Sequence, residues 1–164
     1  AILARDAGAG QVIVIGAPAA RLELAKAYGV DAVIDITQVR APERIQQVLD
    51  LTDGRGADVV FECAGVPAAV AEGIEMVRIN GKYMIAGHYG DAGTVAINPH
   101  VINKKQITIT GVWSASNKHF LRGLTLLRKI PLQKLVTHRF PLDQINEALI
   151  AAERQETLKA AIVP

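Results

Sequence analysis

The sequence alternates short runs of β-branched residues with longer segments of helical spacing, and this alternation most narrows the possible folds. The first run, 11–15 (Gln-Val-Ile-Val-Ile), is apolar after its first residue and lies between two glycines. A strand that is buried on both faces has this pattern, because neither side of it meets water. The next segment, 19–28, places Leu22 and Ala25 on one helical face. The start of the chain therefore predicts a strand followed by a helix.

The same alternation continues to the end of the chain. Further strand-like runs are found at 32–36, 57–61, 82–86, 107–113 and 159–163. Helical spacing is found between them, at 45–52, 67–77, 120–127 and 142–152. Strands separated by helices imply βαβ crossovers, so we predict an α/β fold with a parallel sheet and helices on both faces. The alternating threonines of 107–113 favour an edge or partner-facing strand.

Composition narrows the class of protein. At roughly 150 residues per domain, the 164 residues correspond to one domain. Half of the residues are hydrophobic and the net charge is only +2, which excludes a disordered chain. The only cysteine, Cys63, has no partner for an internal disulfide. The longest uncharged stretch, 7–20, is shorter than the ~20 residues of a membrane helix. We expect a cytoplasmic protein with no membrane segment and no nucleic-acid partner.

The segment 1–7 has the pattern of a helix that ends at Gly8 or Gly10. In a doubly wound sheet, a first strand and a Gly-x-Gly-x-x-Gly turn precede such a helix, and the turn holds a pyrophosphate. The sequence contains no such turn between a strand and a helix. We therefore predict a sheet that lacks its first strand and its glycine-rich turn. The glycines of 87–93 lead into an extended segment, which predicts a loop.

The carboxyl ends of the predicted strands hold the first candidate binding residues. His88 follows the strand 82–86, and Cys63 follows the strand 57–61. Ligands of open α/β sheets bind at these strand ends. Cys63 could act as a nucleophile, but no histidine is placed beside it in sequence as a base, so we favour a wall of a cofactor cleft. The four histidines and Cys63 have no metal-ligand spacing, which predicts no metal site.

A second candidate site follows the strand 11–15. Dinucleotide-binding folds carry an acidic residue there that binds the adenosine ribose, whereas this chain has Gly16. A carboxylate would repel a 2′-phosphate, so its absence permits NADP without requiring it. Arg21 either pairs with a phosphate or faces solvent on a surface helix, and the sequence leaves both interpretations open.

Several stretches together carry a family resemblance. They are 4–9 (Ala-Arg-Asp-Ala-Gly-Ala), 11–15, 21–31, 54–65 (Gly-Arg-Gly-Ala-Asp-Val-Val-Phe-Glu-Cys-Ala-Gly), 81–87, 107–113, 135–149 and 158–164. The whole chain resembles the cofactor-binding part of zinc-dependent alcohol dehydrogenases of the medium-chain dehydrogenase/reductase superfamily. The resemblance implies a Rossmann-like, doubly wound sheet and hydride transfer between an alcohol and NAD or NADP. The family holds its zinc and its catalytic residues in an N-terminal domain, so we expect none of them in this chain.

The resemblance also implies roles for individual residues. Gly16, Ala17 and Arg21 would lie at the ribose, Cys63 and Ala64 in the cleft, Ala86, Gly87, His88, Val112 and Ser114 at the nicotinamide carboxamide, and Lys159 at the pyrophosphate. Residues 1–130 would form the truncated cofactor domain, and 131–164 would return to the catalytic domain. The strand 107–113 would pair across a homodimer or within a tetramer.

Two alternatives remain at this point. One is a zinc-free quinone or enoyl reductase of the same superfamily. The other is a non-catalytic nucleotide-sensing module with a Rossmann-like sheet. The returning segment 131–164 disfavours the sensing module, because a sensor has no catalytic domain to complete.

Overall fold

The predicted alternation of strands and helices is present in the computed structural model, which describes residues 1–128 and 130–164. In chain order the elements are α1 (Ile2–Asp6), β1 (Ile13–Gly16), α2 (Ala19–Ala27), β2 (Ala32–Asp35), α3 (Ala41–Asp50), β3 (Ala57–Glu62), α4 (Pro67–Met76), β4 (Val77–Ile85), α5 (Pro99–Lys105), β5 (Thr108–Gly111), α6 (Asn117–Leu127), β6 (Val136–Pro141), α7 (Ile145–Glu153) and β7 (Lys159–Val163). Every strand pairing in the described chain is parallel, so the α/β prediction is confirmed.

One compact unit, Val39–Ser114, contains a three-stranded sheet in the order β3-β4-β5. Its core consists of Ile74, Val77, Tyr83 and Ile107, and Tyr83 is fully buried. The Tyr83 hydroxyl donates to the carbonyl of Ala69 at 3.0 Å, which fastens α4 to β4. The predicted edge position of the strand around 107–113 is confirmed, since β5 is an outermost strand of this sheet.

The other unit combines Ala1–Gln38 with Ala115–Pro164 and contains two separate two-stranded sheets, β1-β2 and β6-β7. Charged contacts hold α1 to the residues that directly precede β1 and β2. The Arg5 guanidinium pairs with the carboxylate of Asp31 and donates to the carbonyl of Gly29 at 3.0 Å. The Asp31 carboxylate also accepts from the Val12 N–H at 2.6 Å, and these bonds lower the pKa of Asp31, the Val12 contact contributing most.

One local prediction needs correction, and two elements were not predicted. The segment 67–77 was predicted to be helical throughout, but α4 ends at Met76 and the β-branched Val77 begins β4 with extended backbone angles. The helix α5 was not predicted, because it has only seven residues. Strand β6 lies in 131–141, where the sequence lacks regular alternation. The predicted boundary between 130 and 131 stays a prediction. No helix in the described parts of the chain has the length and apolarity needed to cross a membrane.

Candidate cofactor site

A pocket of about 330 Å³ opens at the carboxyl ends of β4 and β5. It is lined by Ala86, Gly87, His88, Val112, Trp113 and Ser114. The two strand ends are held together by the Val112 N–H, which donates to the carbonyl of Ile85 at 2.8 Å. Because both strands are parallel, their carboxyl ends lie at the same edge, where open α/β sheets bind ligands. The structure therefore brings together all five residues that the resemblance assigns to the nicotinamide carboxamide.

Trp113 belongs to this pocket but was not among the predicted site residues. Its side chain is 80% exposed, and its ring centroid lies 5.4 Å from that of His88. The two aromatic rings give the pocket flat walls suited to a planar heterocycle. The signal was present in the sequence, because Trp113 lies between the predicted residues Val112 and Ser114.

The predicted residues Cys63 and Ala64 lie on the loop that follows β3. This loop touches the pocket wall, because a Cβ on Gly65 would overlap the backbone of His88. The Cys63 side chain is exposed, yet partial desolvation and then the charge of Glu62 raise the pKa of its thiol. A raised pKa keeps the thiol protonated near neutral pH, which does not suit a nucleophile. The geometry agrees better with a wall residue than with a catalytic one.

The Glu62 carboxylate contacts the loop that follows β3 and the loop that follows β4. Glu62 was not among the predicted site residues. One of its oxygens accepts from the Ala64 and Gly65 N–H groups at 2.6 and 2.8 Å. The other accepts from the Tyr89 hydroxyl at 2.5 Å. Desolvation, and then this bond to Glu62, raise the pKa of Tyr89. The available signal was an acidic residue that directly follows the apolar run Val-Val-Phe.

A separate pocket of about 420 Å³ brings Arg21 and Lys159 together within the unit that contains α2, α7 and β7. Its other lining residues are Ile145, Ala148, Leu149, Ala152, Thr157, Leu158, Ala160 and Ile162. Two cationic side chains above an apolar floor form a suitable environment for a phosphate group. The remaining predicted residues, Gly16 and Ala17, end β1 and begin the connection to α2, five and four positions before Arg21 in the first turn of that helix.

An acidic group that the sequence reasoning missed stands next to Gly16. The register of the parallel pair β1-β2 places Asp35 beside Gly16 at the carboxyl edge. The Asp35 carboxylate accepts from the Thr37 hydroxyl at 2.7 Å and from its N–H at 2.8 Å, and these bonds lower the pKa of Asp35. The edge that carries Gly16 therefore also carries a negative charge from the neighbouring strand.

Metal ligands are not grouped in this part of the protein. Among residues 1–128 and 130–164, no three His, Cys, Asp or Glu side chains lie where they could hold a metal ion together. The residues described here do not fit a zinc site.

Comparisons with known proteins agree on one family. The sequence profile described as "Zinc-binding dehydrogenase" matches residues 1–129. Among curated relatives, a sorbitol dehydrogenase of Halalkalibacterium halodurans is 33% identical over 94% of this chain and 45% of its own length. A 5-exo-hydroxycamphor dehydrogenase of Pseudomonas putida is 30% identical over 98% of this chain and 46% of its own length.

Solved structures agree with the relatives. An alcohol dehydrogenase of Thermotoga maritima matches with a TM-score of 0.93 and 34% identity, covering 99% of this chain and 46% of its own. A benzyl alcohol dehydrogenase of Acinetobacter calcoaceticus matches with a TM-score of 0.86 and 28% identity, covering 98% and 44%. The chain thus spans just under half the length of the proteins that it matches.

Proposed function

Since this chain belongs to the zinc-binding dehydrogenase family, we propose that it is the nicotinamide-cofactor-binding portion of an alcohol or polyol dehydrogenase. The reaction is hydride transfer between an alcohol carbon and the nicotinamide ring of NAD or NADP. The Rossmann-like fold predicted from the sequence is confirmed by the similar solved structures. The named relatives are dehydrogenases, which favours this function over a zinc-free quinone or enoyl reductase and over a sensing module.

The observation that carries the proposal is the pocket at the ends of β4 and β5. Its lining contains no Asp, Glu, Lys or Arg and includes the aromatic rings of His88 and Trp113. A nicotinamide ring needs such flat walls, and its carboxamide needs nearby backbone donors and acceptors. When bound, the cofactor supplies the hydride acceptor or donor. The residues of this chain orient its ring, and Cys63 and Ala64 narrow the cleft beside it.

The cationic pocket supports phosphate binding by Arg21 and Lys159. Both side chains line the same cavity, and each can donate charge-assisted hydrogen bonds to phosphate oxygens. Gly16 and Ala17 would border the adenosine ribose. The Asp35 carboxylate beside Gly16 disfavours a 2′-phosphate, whereas Arg21 favours one. Parallel titrations with NADH and NADPH compare the two affinities and so show whether Asp35 or Arg21 determines which cofactor binds.

The pocket can be tested directly by binding. Trp113 is the only tryptophan of this chain, and reduced nicotinamide absorbs where tryptophan emits, so bound NADH should quench its fluorescence. The titration is carried out on the whole protein that contains this chain, with Trp113→Phe to identify the signal of this residue. We expect Val112→Trp to fill the pocket and to weaken NADH binding by roughly tenfold or more.

The matched control for the filled pocket is Ile79→Trp, which adds the same ring to an exposed position of β4 outside the pocket. NADH affinity should be unchanged in this variant. Unchanged affinity in Val112→Trp, or no NADH binding by the unmodified protein, would contradict the proposal.

The phosphate contacts have a test of their own. Arg21→Ala and Lys159→Ala should each weaken dinucleotide binding by roughly 10-fold or more, because a charge-assisted hydrogen bond is lost. Arg122→Ala, on the exposed face of α6, serves as the control for the loss of one positive charge. If all three variants bind equally well, Arg21 and Lys159 are not phosphate ligands.

Two further parts of the proposal concern the whole protein. We propose that the zinc ligands of the family lie outside the residues described here, and that the protein is a cytoplasmic homodimer or tetramer. The outermost position of β5 supports pairing through 107–113, because an edge strand presents unpaired backbone groups. Ile109→Lys, which changes an exposed residue of β5, should then lower the mass measured by analytical ultracentrifugation.

A further inference from the structure

Glu62 is a buried acidic residue that lines neither of the two pockets. It ends β3, and only 4% of its surface is exposed. A carboxylate in such a place is stable only when hydrogen-bond donors replace the lost water. Glu62 has three of them: the N–H groups of Ala64 and Gly65 and the hydroxyl of Tyr89.

The three donors come from two different loops. Ala64 and Gly65 follow β3, whereas Tyr89 follows β4. The backbones of the two segments are also joined, because the Ala86 N–H donates to the Glu62 carbonyl at 2.9 Å. The single side chain of Glu62 therefore bridges the ends of two neighbouring strands.

The loops close so tightly around Glu62 that two glycines are required. A Cβ on Gly87 would overlap the Glu62 carboxylate and the backbone of Gly65. A Cβ on Gly65 would overlap the His88 carbonyl. Because Gly87 and His88 line the pocket, a change in the carboxylate position has to move the pocket wall.

We propose that Glu62 and Tyr89 are positioning residues that hold the wall 86–88 in the shape that binds the nicotinamide half of the cofactor. The proposal rests on the proposed function, since it needs this pocket to hold nicotinamide. Neither residue lines the pocket, so both act through the backbone of the loops. Because the wall is already ordered before the cofactor binds, no binding free energy is lost in ordering it.

The competing explanation is that Glu62 stabilises the fold without any effect on binding. The same unit offers a control for this, Glu72, whose side chain is 14% exposed and pairs with Arg44. The Glu72 oxygens accept from Arg44 at 2.7 and 2.5 Å, and neither residue lines the nicotinamide pocket. Glu72→Gln thus removes a buried charge and weakens the unit without touching the pocket wall.

The test measures two affinities for each variant of the whole protein, one for NADH and one for ADP-ribose, which lacks the nicotinamide ring. Glu62→Gln and Tyr89→Phe should weaken NADH binding by roughly tenfold and leave ADP-ribose binding within about twofold. Glu72→Gln should leave both affinities unchanged. Amide hydrogen exchange should also become faster at Ala64 and Gly65 in Glu62→Gln, because their acceptor is weakened.

Each outcome decides between the explanations. Equal NADH affinity in the unmodified protein, Glu62→Gln and Tyr89→Phe overturns the positioning role and leaves the proposed function standing. Loss of NADH and ADP-ribose affinity to the same extent also overturns it, because the effect is then not confined to the nicotinamide half. No NADH binding by the unmodified protein overturns both proposals. Tyr89→Phe removes only one hydroxyl, so it decides the question even where Glu62→Gln fails to fold.

Discussion

The two units of this chain differ in the space around their glycines. In Val39–Ser114, a Cβ would come within contact distance of other atoms at Gly56, Gly65, Gly73, Gly81 and Gly87, whereas it would have open space at Gly54, Gly90, Gly93 and Gly111. In the other unit, the described surroundings leave open space for a Cβ at Gly8, Gly10, Gly16, Gly29 and Gly123. The three-stranded sheet is thus assembled by close approaches that only glycine allows, and the β1-β2 region is not.

Some polar side chains that bond to the backbone also differ in exposure between the two units. In Val39–Ser114, the side chains of Glu62, Tyr83 and Lys105 each hold a backbone segment in place. The contacts of Arg5 in the other unit lie mostly in exposed positions. A tightly packed region transmits a small change in volume, whereas an open region absorbs it. Similar substitutions should therefore have different consequences in the two units.

The largest effect should come from Gly65→Ala. This glycine has a φ of +70°, and its new Cβ would overlap the backbone of His88. The left-handed backbone costs roughly 1–2 kcal/mol for alanine, and the overlap with backbone adds about 1–3 kcal/mol. We expect urea denaturation of the whole protein to show a loss of about 3–4 kcal/mol in the unfolding free energy of this region.

Gly54→Ala is the matched control for Gly65→Ala. Gly54 has a similar φ of +74° but open space around a Cβ. It should lose only the backbone contribution of roughly 1–2 kcal/mol. Equal losses at the two positions would show that the contact with His88 adds nothing.

The next largest effect should come from Gly73→Ala in α4. Its new Cβ would overlap the ring and the hydroxyl of Tyr83, which is fully buried and cannot move aside. Overpacking costs about 1–3 kcal/mol, and the better helix propensity of alanine returns up to about 1 kcal/mol. A net loss of about 1–2 kcal/mol in the unfolding free energy is expected. The double variant Gly73→Ala with Tyr83→Leu should lose less than the sum of the single changes, because the overlap is relieved.

Lys105 should show a smaller effect and a pH dependence. Its ammonium donates to the carbonyls of Glu75 and Val77 at 2.7 and 3.0 Å, where α4 ends. Lys105→Met leaves these carbonyls without this donor and should lower the unfolding free energy by about 1 kcal/mol near neutral pH. Lys104→Met, at the exposed neighbouring position, is the control and should have almost no effect.

The pH dependence of Lys105 follows from its lowered pKa, which burial causes. Between this lowered value and the ordinary lysine value of about 10.4, the unfolded chain binds more protons than the folded one. The contribution of Lys105 to the unfolding free energy therefore increases as the pH rises through this interval. Denaturation of the unmodified protein and of Lys105→Met at several alkaline pH values measures it. A difference between the two that decreases with pH would contradict this interpretation.

The sequence predicted the elements whose signal is local. The run of β1 was recognised because a buried parallel strand has no polar alternation, and β5 was recognised from its alternating threonines. The helix α5 and the strand β6 were missed, because the first is short and the second depends on pairing with β7 along the register Val136↔Lys159. A strand that is defined by its partner has no local signature.

The site was predicted in part, for a similar reason. His88 and Cys63 could be placed at strand ends from the pattern alone, whereas Ala86, Val112 and Ser114 came from the family resemblance. Glu62 was missed because its function depends on donors from two loops that only the fold brings together. The assignment of all the predicted site residues to a cofactor remains a proposal, and the binding experiments above test it.

The smallest effect should be a gain of stability at Gly123, in the interior of α6. Apart from its chain neighbours and the nearby backbone of α6 itself, no atom of the described chain lies within 4 Å of a Cβ there, and the backbone is helical. Gly123→Ala should raise the unfolding free energy by about 0.5–1 kcal/mol, because glycine loses more backbone entropy in a helix than alanine does. Gly73→Ala makes the identical change in a helix of the other unit and should act in the opposite direction. Both glycines lie inside helices, so opposite signs in denaturation would show that the packing around the added Cβ determines the outcome, and equal signs would refute it.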